Sequence, residues 1–180
     1  MRDNIWFTYK ARIQAHKRLD WLDFHSQLLL VWYAILSAVL AVVTIRYPTA
    51  LGHDTDVLAT ILSVALLGVS LAVSNRDFRG RAILMRNNYL KLQKLYRDIP
   101  VSTTPSADHQ TRYDELLAEA ENHREIDDRI ARAFSSGLTS RHPTLSENLH
   151  AICWLAVRAL ITIALYIAPI IVAIYAWKHQ

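Results

Sequence analysis

The sequence predicts an all-α membrane protein. Its core is a long antiparallel helical hairpin with two transmembrane spans that continue into a cytoplasmic helical stalk. A short amphipathic helix and a C-terminal hydrophobic helix, forming a third span, follow. Three observations predict this. Hydrophobic residues make up 52% of the 180-residue chain and charged residues still make up 20%, so the apolar side chains must be gathered into blocks. Three such blocks, residues 28–45, 57–74 and 159–177, carry no charge. Around them, apolar residues recur at helical spacing rather than in the alternation of a strand.

The first block, LLLVWYAILSAVLAVVTI, runs 18 residues, which at about 1.5 Å per residue gives roughly 27 Å, close to a hydrocarbon core. The second, VLATILSVALLGVSLAV extended through Ser74, is of similar length. Between them Pro48 and Gly52 act as helix stops, and Asp54 or Asp56 is expected to cap the second helix. The third block, ALITIALYIAPIIVAIYAW, is long enough to cross as well, with Pro169 expected to kink it and Tyr175 and Trp177 expected at an interface. A signal peptide does not fit the first block, whose charged flank is 27 residues long, and no lipidation or transit signal is visible.

Lys and Arg counts set the orientation. The N-terminal flank holds five, the connection between the first two blocks holds one (Arg46), and residues 76–141 hold twelve. The N-terminus and the middle segment are therefore expected on the cytoplasmic side. A third crossing would put the C-terminus outside, with Arg158 snorkelling at the cytoplasmic end of the last span.

Beyond the second block, Phe78, Ala82, Met85, Tyr89, Leu92, Tyr96 and Ile99 alternate steps of four and three, the spacing of a packing seam. With only Gly80 as an intervening breaker, one helix is expected from about Asp56 to Ile99, ended by Pro100. In the N-terminal flank Trp6, Tyr9, Ile13 and His16 repeat the pattern, and the line continues through Asp20, Asp23 and Gln27. The two stretches are expected to pair, with the acids of the first facing Arg79, Arg81 or Arg86 of the second. Residues 100–110 read as a linker. From Thr111 to Phe134 a single amphipathic helix is expected, with Arg124/Asp128, Glu125/Arg129 and Asp128/Arg132 spaced as ion pairs. Thr144-x-x-Glu147 is a capping box that opens the last helix. The expected organisation is a hairpin with stalk over 1–99, a linker and amphipathic helix over 100–143, and the hydrophobic helix over 144–180.

Candidate functional residues lie inside the spans. Thr60, Ser63, Ser70 and Ser74 share one helical face with Leu67, while Gly68 and Ala72 form a small-x-x-x-small pair beside it. In the first span Ala34, Ser37, Ala41 and Thr44 share a stripe. These faces suit tight helix packing, or, when several copies assemble, a water-filled path lined by hydroxyls. No span holds an acid, which argues against a proton relay or an ion-coupled transporter. Arg76, Arg79, Arg81 and Arg86, just cytoplasmic of the second span, suit topology and anionic lipid, or the phosphate of a nucleotide or nucleic acid.

Chemistry is thinly represented. A lone Cys153 forms no internal disulfide, fits a reducing cytoplasm, and reads as a small hydrophobe near a membrane boundary. His53 with Asp54 and Asp56 matches no ligand spacing, and His16 with Asp20 or His25 with Ser26 suggests hydrolysis only superficially. No nucleophile elbow, P-loop or zinc signature is present, so no catalytic residue, metal or cofactor is expected, and the size favours one compact unit over a membrane module joined to an enzyme.

Two stretches are familiar as strings: IWFTYKARIQAHKRLDWLDFHSQLLLVWYAILSAVLAVVTIRYP, and LGHDTDVLATILSVALLGVSLAVSNRDFRGRAILMRNNYLKLQKLY. Through motifs such as RIQAHKRL, TIRYP and NRDFRGRA, the chain resembles the SLATT family, membrane effectors associated with bacterial nucleotide-signalling conflict systems. The likeness is greatest to the subfamily found beside reverse transcriptases, strong over about residues 4–99 and looser beyond. The resemblance implies an antiphage-defence effector that stays inactive until a partner nucleotide-signalling enzyme or reverse transcriptase senses infection. On infection it would oligomerise or open, permeabilise the inner membrane, and kill or arrest the cell. The family is usually described with two spans, so a third would be a departure. The alternative reading is a membrane anchor that recruits a cytoplasmic protein or nucleic acid without forming a pore.

Overall fold

The computed structural model describes residues 1–53, 55–100, 106–138 and 140–178, with the backbone alone at 176 and 177. Among these residues the chain forms six helices and no strand: α1 (Arg2–Arg46), α2 (Thr55–Ser74), α3 (Phe78–Asp98), α4 (Ala107–Ala118), α5 (Glu125–Phe134) and α6 (Leu145–Lys178). α1 meets no Gly or Pro along its whole length and ends two residues before Pro48, where the chain can no longer stay helical. The expected continuity of the N-terminal flank with the first span is thus observed. Gly52 adopts φ 109°, a left-handed conformation that a side chain would strain. α2 opens at the buried Thr55, whose hydroxyl accepts from Leu51 N–H at 3.0 Å and donates to the Gly52 carbonyl at 2.6 Å. Asp56 therefore lies in the first turn instead of capping it, and Asp54 falls outside the described residues.

The single helix expected from Asp56 to Ile99 is broken, and not at Gly80, which lies within α3. The break is Asn75–Arg76–Asp77. There the last turn tightens, with Arg76 N–H bonding the Val73 carbonyl at 3.1 Å and Asp77 N–H the Ser74 carbonyl at 3.3 Å, and Asp77 then turns left-handed at φ 42°. Asp tolerates that conformation better than most residues, which explains how a sequence with no proline here still stops a helix.

The chain forms two units: Met1–Leu22 with Phe78–Ala156, and Asp23–Asp77 with Val157–Gln180. In the first unit the expected pairing of the N-terminal flank with α3 is present and antiparallel. Ile5, Trp6, Phe7 and Tyr9 cluster with Leu92, Leu95, Ile99 and Leu116, and Ala15 and Leu19 cluster with Ala82 and Met85. The buried face of α1 is broader than the expected line. Ile13 and His16 are half-buried and Asp20 is exposed, whereas Ala11, Arg12, Ala15, Arg18 and Leu19 are buried.

Two buried arginines on that face hold α4 and α5. Arg12, with no exposed surface, donates to the Leu116 and Leu117 carbonyls at 3.0 and 3.1 Å, and to Asn88 Oδ1. Asn88 Nδ2 bonds the same Leu116 carbonyl at 2.7 Å. Arg18 forks onto Asp127 with two bonds of 2.9 Å, and Asp127 also accepts the Arg124 N–H at 2.9 Å, as an acid in the first turn of α5.

These contacts accompany a second correction. The one helix expected over 111–134 is two, and Arg12 ties off the end of the first by bonding the Leu116 and Leu117 carbonyls, which the end of α4 leaves without intrahelical donors. α4 also starts earlier, at Ala107, capped by Ser106 Oγ, which accepts the His109 N–H at 3.3 Å. The first half of the expected linker, residues 101–105, lies outside the described residues. Of the expected ion pairs Glu125–Arg129 and Asp128–Arg132 form, the latter at 2.9 Å, while Arg124 engages Asp127 through its backbone. Arg81 pairs with Glu121 at 2.8 Å rather than with an acid of α1. The Thr144–Glu147 capping box forms as expected, and α6 runs through Pro169.

The Arg18–Asp127 pair leads to a stability prediction. Both side chains are almost wholly removed from water, so truncating one leaves the other's charge buried alone. Asp127→Ala should lower unfolding stability by about 3–5 kcal/mol, and Arg18→Met/Asp127→Leu by clearly less. Thermal unfolding of the full chain in detergent measures both, and an equal loss in single and double variants would contradict the pairing.

Candidate functional site

In the second unit α1, α2 and α6 each carry an apolar window long enough to cross a membrane, and almost none of those windows is covered by the chain itself, with 0%, 0% and 6% of their residues buried. In α2 only Thr55 is buried. Exposure of this kind over whole helices is stable only when lipid or other protein covers it, so the chain is a membrane protein.

On α2 Thr60, Ser63 and Ser74 are exposed, Ser70 is half-buried, and Leu67 is 62% exposed. Thr60 donates to the Asp56 carbonyl and Ser63 to the Ala59 carbonyl, each at 2.9 Å, the back-bonding to i−4 by which a hydroxyl satisfies itself inside an apolar helix. Ser63 Oγ also lies 3.4 Å from Ser37 Oγ, so the expected hydroxyl face of the second span meets the expected small-residue stripe of the first at this point. In that stripe Ala34 and Ala41 are exposed, and Thr44 donates to the Ala41 carbonyl at 2.9 Å. Gly68 borders open space, since a Cβ there would meet no atom within 4 Å, and Ala72 beside it is exposed.

The residues of the stalk seam divide by register. Ala82, Met85, Leu92 and Ile99 are buried, and Phe78, Tyr89 and Tyr96 pack half-buried against the same clusters. Of the basic group, Arg76, Arg79 and Arg86 are exposed, whereas Arg81 is engaged by Glu121. His53 is exposed and Cys153 is a free, exposed thiol. Among the described residues no group of three or more His, Cys, Asp or Glu side chains is arranged to hold a metal.

The polar centre of the first unit is one that residue spacing did not reveal. Arg12 and Arg18, counted among the topology charges, are buried. Their signal was present in the sequence, because both fall among the small and apolar residues Ala11, Ala15 and Leu19. Burial pulls the Arg12 guanidinium below its ordinary pKa, although its position at the C-terminal end of α4, where the helix dipole is negative, favours the cation. Burial likewise lowers His123, whose Nδ1 is buried without a partner. Near the start of α6, Arg132 forks onto Glu147 at 2.6 and 2.9 Å. Those bonds, with the Thr144 N–H, hold the Glu147 carboxyl down at about 2 and raise Arg132 above its usual value.

The family model described as SMODS and SLOG-associating 2TM effector domain family 5 matches residues 1–177. No curated protein and no solved structure matches the chain.

Two acid-sensitive steps follow from these shifts. Burial holds His123 below its ordinary pKa of 6.5 in the fold, so the unfolded chain takes up the proton more readily. Its contribution is complete above pH 6.5 and is lost as pH falls below that value. Glu147, depressed from 4.5 to about 2, contributes fully above pH 4.5 and loses its contribution as pH falls towards 2. Melting temperature against pH in detergent should show both declines. His123→Gln should remove only the upper one, and Glu147→Gln only the lower.

Proposed function

Because the chain belongs to the SMODS and SLOG-associating two-transmembrane effector domain family, we propose that it is an antiphage-defence effector of the bacterial inner membrane. In this reading it oligomerises and permeabilises that membrane when a partner nucleotide-signalling enzyme or reverse transcriptase is triggered, and the cell dies or stops growing. The observation that carries the reading is the bareness of α2: a 20-residue apolar helix with one buried residue, an open strip at Gly68 and Ala72, and an exposed row at Thr60, Ser63, Leu67 and Ser74. A strip lacking side-chain bulk lets the backbone of a second copy approach closely. A neighbouring row of hydroxyls is what a water-filled path between copies needs. The excess of Lys and Arg in the N-terminal flank and in residues 76–141 supports a cytoplasmic N-terminus.

The trigger must bind the open arrangement better than the closed one, and the paired α1–α3 stalk with its two buried arginines is the element we assign to receive it. Such an element has discrete states because half-made polar contacts are costly. A non-pore anchor is the second reading. It is supported by exposed apolar side chains in the first unit, such as Leu145 and Leu149 on α6 and Ile83 and Leu84 on α3, which suit docking of a cytoplasmic protein.

Co-expression with the triggered partner should depolarise cells, and the reconstituted protein should release dye from liposomes. Ser63→Leu/Ser70→Leu should abolish both while leaving membrane insertion and partner recruitment unchanged. Intact membrane potential at full expression and activation would leave only the anchor reading.

A further inference from the structure

α6 contains a defect that its neighbour repairs. Pro169 has no amide hydrogen, so the carbonyl of Leu165, four residues earlier, receives no bond from its own helix. In hydrocarbon an unsatisfied carbonyl is strongly unfavourable, and a proline inside a span persists where another helix supplies the missing donor. Here Tyr33 of α1 donates its hydroxyl to the Leu165 carbonyl at 2.9 Å. The adjacent residue, Trp32, donates its indole N–H to the next carbonyl, that of Tyr166, at 3.2 Å. Two turns back along α1, His25 Nδ1 lies 3.3 Å from the Tyr166 hydroxyl. Leu28, Ile35, Ile167 and Ile170 line the apolar groove in which Trp32 and Tyr166 meet.

We propose that the Leu165 carbonyl released by Pro169, together with the neighbouring Tyr166 carbonyl, is the docking site that fixes the C-terminal hydrophobic helix on the first span, with Tyr33 and Trp32 as its donors, so that α6 is a third wall of the transmembrane unit. Aliphatic contact does not set this register, because lipid tails offer Leu and Ile the same surroundings that a helix does. A pair of directed hydrogen bonds to two successive carbonyls does set it, and only a proline at 169 leaves the first of those carbonyls open. The assignment holds whether the protein forms a pore or acts as an anchor.

A thermodynamic cycle on the full-length protein in detergent tests the dock. Tyr33→Phe should lower the melting temperature by roughly 2–4 °C. In a Pro169→Ala background, where residue 169 again supplies the N–H, the same substitution should have less than half that effect. Equal losses in the two backgrounds would overturn the docking role, and the Pro169→Ala chain keeps the test valid should Tyr33→Phe alone fold poorly. The crossing is tested separately in a Cys153→Ser background by labelling Ser146→Cys and Lys178→Cys with an impermeant maleimide. Labelling from opposite faces of the membrane supports a third wall; labelling from one face overturns it.

Discussion

A peptide group in hydrocarbon finds no water to bond, so every N–H and C=O that crosses must be satisfied by protein, and side chains that cover nothing must be apolar enough to tolerate lipid. The second unit is organised by that constraint. Its helix windows hold no charge, and Gly52 and Pro48, which a spanning helix would find costly, sit in the connection outside them. Hydroxyls on α2 turn back onto their own helix at Thr60 and Ser63. Where the rule fails locally, at Pro169, the first span makes up the missing bond.

The first unit meets the opposite difficulty, the burial of charge. Arg12 and Arg18 sit on the face of α1 that packs into the core, the first matched to a helix end directly and the second through an acid. Arg12 binds the carbonyls at the C-terminus of α4, and Arg18 reaches the N-terminus of α5 through Asp127. The macrodipoles of α4 and α5 favour a cation at the first place and an anion at the second. The bend between these two helices is thus defined by side chains from α1, more than 100 residues away in sequence.

This division bears on the proposed effector role. Membrane helices that expose nearly all their apolar surface are free to exchange lipid for other copies of the chain. In that reading the first unit, tied by buried polar bonds, would change in steps, since a bond to a buried arginine is either made or lost. Hydroxyls at Ser63 and Ser37 place the expected path-lining face and the expected packing stripe in contact, a relation that separate helical wheels do not show.

The sequence by itself determined the helical class, the three uncharged blocks, the continuity of α1, the antiparallel stalk and the capping box at Thr144, because each follows from local rules of hydrophobic spacing, charge and helix stops. Family membership was legible for the same reason, in strings such as RIQAHKRL. Tertiary structure alone decided that α4 and α5 are two helices, which carbonyls and which carboxylate the buried Arg12 and Arg18 meet, that Arg81 meets Glu121, and that Tyr33 completes the broken turn at Pro169. Those outcomes depend on which distant groups compete for a carbonyl or a carboxylate, and a distant competitor leaves no mark on the periodicity of the segment it alters.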